Sequence, residues 1–155
     1  MPNAPPSYYP IKLKTVTLHV SESPPNTVPV TDPETAVLFL RAVFATLDAD
    51  REHFVILALG PKNDPRGFKV VSTGGTSHST IDPKNLWRDA LALGAAQLIL
   101  AHNHPGGDPE PSPDDVATTT RIVAGGATLG ISVNDHIILA GEKWLSFLRR
   151  GLMYL

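Results

Sequence analysis

The chain has no cysteine among its 155 residues. That excludes disulfides, thiol nucleophiles and thiolate metal sites, so any bound metal must be held by His, Asp or Glu. No apolar run approaches the roughly 18 residues that a membrane span requires. The opening residues MPNAPPSYYP offer neither a basic stretch nor an apolar core, and no secretory signal is expected there. Charge of one sign is also lacking, because 13 Lys and Arg face 15 Asp and Glu for a net charge of −2. The basic pairs Lys12/Lys14 and Arg149/Arg150 are too small to read as a nucleic-acid footprint. These absences describe a soluble domain with no membrane partner, and the expected compartment is the reducing cytoplasm.

What is present is apolar surface for a single core: 42% of residues are hydrophobic and mean hydropathy is −0.01. Proline is crowded at the front, with eight of 15 in the first 33 residues. Residues 1–10 read as a flexible proline-rich lead and 11–155 as one domain. IKLKTVTLHV (11–20) alternates well enough for a strand. A helix follows, capped by Thr31 or Asp32 with Pro33 at its first position, its apolar spacing running through Leu47. EHFVILALG (52–60) is too apolar for a one-sided sheet and reads as a central strand. After the turn PKNDPRG, FKVVSTGG returns antiparallel. A second helix runs from about Pro83 to Leu93, QLILAHNH forms another buried strand, and SPDDVATTTRIVAGGATLG forms a third helix. ISVNDHIILAG and KWLSFLRRGLM supply a final strand or two and a short helix. The order is mixed α/β, with helices between core strands.

The chemistry gathers in ILAHNHPGGDPEPSPDD, residues 99–115. Residues two apart on a strand share a face, so His102 and His104 can present their imidazoles side by side. Their Cα atoms would lie about 6–7 Å apart, and two ring nitrogens could then converge on one ion. Asn103, between them, faces the other way. Ser112 is a natural helix N-cap, Pro113 takes the first position, and Asp115 projects from the first turn. Two histidines and a carboxylate leave a coordination position open for water, as in hydrolytic zinc sites. Such a site needs a proton acceptor, and Glu52, opening the central strand, is the acid best placed by topology. Ser112 and Asp115 also serve as a plain capping pair, Asp114 rivals Asp115 as ligand, and Glu52 could simply pair with Arg51 at a strand end.

The pattern Glu52, then His-x-His, seven residues, Ser, two residues and Asp resembles the JAMM metallopeptidase motif. The surrounding LILAHNHPGGDPEPSPDD and NDHIIL look like the RadC branch of that family, from about residue 31 onward. The resemblance implies a cytidine-deaminase-like α/β/α sandwich with a mixed central sheet, of the JAB/MPN type. It implies Zn2+ on His102, His104 and Asp115, Glu52 as general acid/base, and Ser112 donating to the oxyanion of a tetrahedral intermediate. The implied function is zinc-dependent hydrolysis of a peptide or isopeptide bond in a peptide or protein substrate. The alternative is a DNA-repair or DNA-metabolism accessory in which the metal only binds. Gly106 stands where the RadC pattern has serine. The helix-hairpin-helix segment often found ahead of RadC domains is not seen in the proline-rich opening, which lessens the DNA reading. A zinc deaminase would need paired cysteines, and an HNH nuclease spreads its motif over a longer segment.

Among the other residues, His53 faces away from Glu52 and reads as structural. Asp135 and His136 either support the metal as a pair or merely end a strand. Trp87 reads as core or interface, and Asp108 and Glu110 as solvated loop acids. His19 and His78 have no evident partners. Oligomeric state is left open, a homodimer being one option.

Overall fold

A computed structural model describes residues 28–74 and 81–154. The strand expected at 11–20, the proline-rich lead, His19 and His78 lie outside those residues. The described chain runs α1 (Pro33–Phe44), β1 (Glu52–Leu59), β2 (Pro65–Gly74), α2 (Pro83–Ala92), β3 (Gln97–Asn103), α3 (Pro113–Leu129), β4 (Ser132–Ala140) and β5 (Lys143–Ser146). Each helix opens with proline just after a side-chain cap. Asp32 accepts from the Thr35 N–H at 2.7 Å, Asp82 from Lys84 at 3.0 Å and Ser112 from Asp115 at 3.1 Å.

The strands form one sheet in the order β2-β1-β3-β4-β5. β1 is antiparallel to both β2 and β3, β3 and β4 are parallel, and β5 folds back antiparallel on β4. A parallel pair needs a crossover, and α3 is that crossover. Both faces of the sheet are covered. Phe54, Ile56, Leu98 and Leu100 pack against Leu86 and Trp87 of α2 and Ile122 of α3. Leu57, Leu59, Ile99 and Ala101 pack against Ala36, Val37 and Leu40 of α1. This is an α/β/α sandwich, and its two covered faces explain why β1 and β3 are apolar almost throughout.

Three expectations about the elements need correction. α1 stops at Phe44, because Thr46 and Leu47 turn back onto the carbonyls of Val43 and Phe44 at 3.0 Å. β2 begins at Pro65 rather than Phe68, since Gly60 and Asp64 close a tighter turn, with Asn63 at a φ of 61°. No helix forms in KWLSFLRRGLM. Gly141, at a φ of 59°, opens a two-residue hairpin that pairs Ala140 with Lys143 and draws Lys143–Ser146 into the sheet. Phe147 then donates to the His136 carbonyl at 2.9 Å, and the chain continues in turns.

Candidate metal centre

The carboxyl end of β3 meets the amino end of β1, because the two strands are antiparallel and Phe54 pairs with His102. Glu52 lies two residues before Phe54, so it shares the face of His102 and His104. α3 starts over that same face and brings Asp115 with it. The ligand atoms of Glu52, His102, His104 and Asp115 all lie within 4.8 Å of one another. His102 is 1% exposed, His104 and Asp115 are partly buried, and Glu52 is the solvent-facing member. Asp114, one residue away, is exposed and stands outside this group.

Each ring is held from behind. His104 donates from Nδ1 to the Asp108 carbonyl at 2.7 Å, which leaves Nε2 as the lone-pair nitrogen. His102 Nδ1 lies 2.8 Å from His136 Nε2, and His136 Nδ1 lies 2.6 Å from the Thr119 hydroxyl. The two front nitrogens, His102 Nε2 and His104 Nε2, approach to 2.9 Å. Asp115 Oδ1 is 3.4 Å from His102 Nε2, and Oδ2 is 3.5 Å from His104 Nε2. Oδ2 also accepts the Ser112 N–H at 2.8 Å, so Oδ1 is the freer oxygen. Ser112 Oγ accepts the Asp115 N–H in return, a bond that uses its lone pair and not its proton.

Two imidazole nitrogens and a carboxylate set this closely form a group that could hold a metal ion. Four-coordinate zinc with bonds of about 2.0–2.1 Å spaces its ligand atoms by roughly 3.3–3.4 Å. The 2.9 Å between the two Nε2 atoms and the 3.4 Å from Asp115 Oδ1 to His102 Nε2 lie near that spacing, so these residues fit such an ion. The electrostatics agree. Burial pushes the Asp115 carboxyl up, but its contacts with His102 and His104 outweigh this and hold it well below the usual carboxylate range. The same carboxylate raises His104 above its ordinary value, against the effect of burial.

The chain matches a family model described as RadC-like JAB domain over residues 30–152. It belongs to the RadC-like JAB domain family. A UPF0758 protein of Desulforamulus reducens is 42% identical over 106 residues, 68% of this chain and 47% of that protein. Another from Desulforudis audaxviator is 45% identical over 103 residues, 66% of this chain and 45% of its own length. A third, from Salinibacter ruber, is 41% identical over 106 residues, covering 68% and 46%. The RadC-like chain therefore matches less than half the length of these relatives. No helix among its described residues is long and apolar enough to cross a membrane.

Other residues of the RadC-like domain sort themselves by face. His53 is buried on the α1 side, where Thr73 Oγ lies 2.9 Å from its Nδ1 and the Asp48 carbonyl 2.8 Å from its Nε2. Both of its ring nitrogens are thus engaged on the face opposite Glu52. Asp135 and His136 do not act as a pair. His136 reaches toward His102, whereas Asp135 accepts from Ser146 Oγ at 2.6 Å and from the Leu148 N–H at 2.9 Å, locking the turn after β5. Trp87 is core, packed beside Gly125 and Gly126 of α3. Glu110 is exposed but ion-paired with Arg150 at 2.9 Å. Asp108 contributes its backbone carbonyl to the site, a contribution invisible in its side-chain type. A Cβ added at Gly106 would meet nothing within 4 Å. Thr119 was missed. The available signal was its position four residues after Asp115, on one stripe of α3.

Proposed function

We propose that the RadC-like domain is a metal-dependent hydrolase of peptide or isopeptide bonds, with zinc as its ion and a peptide or protein as its substrate. The observation that supports this most is the convergence of Glu52, His102, His104 and Asp115 within 4.8 Å, one of the four facing solvent. His102, His104 and Asp115 would hold the ion. A divalent ion so held supplies Lewis acidity and lowers the pKa of a water toward 7. Glu52 takes the proton of the attacking water and passes it to the leaving amine. Its place at the solvent edge lets it exchange protons between turnovers. Ser112, with its hydroxyl proton uncommitted by the cap, donates to the oxyanion. A reducing cytoplasm suits a centre built without thiols.

Elemental analysis of protein purified without chelator or metal-affinity resin tests the site, beside a peptide and isopeptide cleavage screen. Near-stoichiometric zinc is expected in the wild type and far less in Asp115→Ala. Glu52→Gln is expected to keep its zinc and lose at least about 100-fold in turnover. A zinc-free wild type, even after reconstitution, would overturn the reading, as would a Glu52→Gln variant that cleaves at the wild-type rate. Tight, salt-sensitive duplex binding without cleavage would instead favour the DNA-accessory role.

A further inference from the structure

Behind the ligand face, a buried chain of polar groups runs from His102 through His136 and Thr119 to the backbone of Asp115. We infer that His136 and Thr119 are positioning residues that fix His102 as its Nδ1–H tautomer, so that Nε2 keeps its lone pair toward the centre. The inference deepens the metal-centre reading and rests on it for its purpose, though not for its geometry.

Proton counting decides the direction of the chain. It ends at the Asp115 carbonyl, which can only accept. Thr119 Oγ lies 2.7 Å from that oxygen and 2.6 Å from His136 Nδ1. A threonine hydroxyl has one proton. Were it given to His136, two unprotonated oxygens would face each other at 2.7 Å. The proton therefore goes to the carbonyl, and Thr119 Oγ accepts from His136 Nδ1–H. A neutral imidazole has one N–H, which leaves His136 Nε2 as an acceptor. His102 Nδ1, at 2.8 Å, must then be the donor.

The surroundings of His136 keep this ordering in place. The residue is 0% exposed, stacked on Phe147 at 4.5 Å between ring centroids and edge-on to Phe54 at 5.4 Å. Neither ring nitrogen meets a carboxylate, so a cation buried there would have no directly bonded counter-charge. The chain also closes a loop. It begins on one ligand, His102, and ends on the main chain of another, Asp115, crossing from β3 through β4 to α3. Removing the Thr119 hydroxyl frees His136 to reverse. It can then donate from Nε2 to His102 and place the His102 proton on the nitrogen that faces the centre.

The test compares wild type, Thr119→Val and Thr119→Ser as full-length, metal-free proteins with 15N-labelled histidine. NMR reads the tautomer of His102, and competition with a chelator then reads affinity for Zn(II). The wild type is expected to show His102 as Nδ1–H. Thr119→Val is expected to shift it toward Nε2–H and weaken zinc binding by about 10–100-fold. Thr119→Ser, which keeps the hydroxyl, should restore both. A wild-type His102 protonated at Nε2 would overturn the inference, and so would an unchanged tautomer in a folded Thr119→Val. If Thr119→Val does not fold, Thr119→Ser and the wild-type tautomer still decide it. An Nδ1–H His102 in a protein that binds no zinc would support this ordering while removing the metal reading above.

Discussion

At the scale of single residues, Asn103 shows how much one amide can fix between His102 and His104. The β1–β3 ladder ends at the pair Phe54–His102. Beyond it, Asn103 Oδ1 accepts the His53 N–H and Nδ2 donates to the Arg51 carbonyl, both at 2.8 Å. These bonds pin the backbone on either side of Glu52. Asn103→Ala is expected to keep its zinc and lose about 10–100-fold in turnover, because a misplaced proton acceptor costs rate without costing metal. Undiminished turnover with normal zinc content would contradict that role. His102, His104 and Asp115 were legible from local geometry, i, i+2 spacing on a strand and the first turn of a capped helix, whereas Glu52 stood out only through topology and the family resemblance. Asn103, Thr119 and the split between Asp135 and His136 were not. Their partners lie 50, 17 and 34 positions away for Asn103–His53, Thr119–His136 and His136–His102, and only the sheet register decides who meets whom.

At the scale of elements, Trp87 of α2 sits close against Gly125 and Gly126 of α3. A Cβ at Gly126 would collide with the Ile131 carbonyl, a backbone atom, and press on the Trp87 ring at 3.0 Å. Alanine gains about 1 kcal/mol of helix propensity, yet the clash is expected to leave Gly126→Ala about 1–2 kcal/mol less stable. The reading is a lower urea midpoint at unchanged slope, with Gly106→Ala as the control, since its Cβ enters open space. Equal midpoints for the two would show that the clash is relieved at no cost. The three helices were legible from their caps and prolines. The chain after Gly141 was not, because LSFL carries helical and strand signals alike, and its pairing with β4 depends on a turn of two residues.

At the scale of the whole molecule, the centre exists only when the fold does. Glu52 and Asp115 stand on segments that meet once β1, β3 and α3 are in register, so an ion held there favours the native state over the unfolded one. Zinc at about 100 times its Kd should add about 2.7 kcal/mol, raising Tm by about 5–10 °C. Calorimetry with zinc and with chelator checks this. Asp115→Ala should show little of the shift, and an equal shift in that variant would place the ion elsewhere. A mixed α/β class was readable from the alternation of patterns. The strand order was not, because periodicity says which face is buried but not which strand lies beside which.

The stretch from Pro105 to Pro111 has a position unlike that of its neighbours. It joins His104 to the helix that carries Asp115, yet it gives the candidate site only the Asp108 carbonyl; a Cβ added at Gly106 would find open space, whereas Gly107, at a φ of 83°, holds a conformation that favours glycine. Frame and rim are thus separable. Gly107 apart, side chains along this rim can be rewritten, by drift or by design, to address a different partner while the residues proposed to hold the ion stay where the sheet and helix put them.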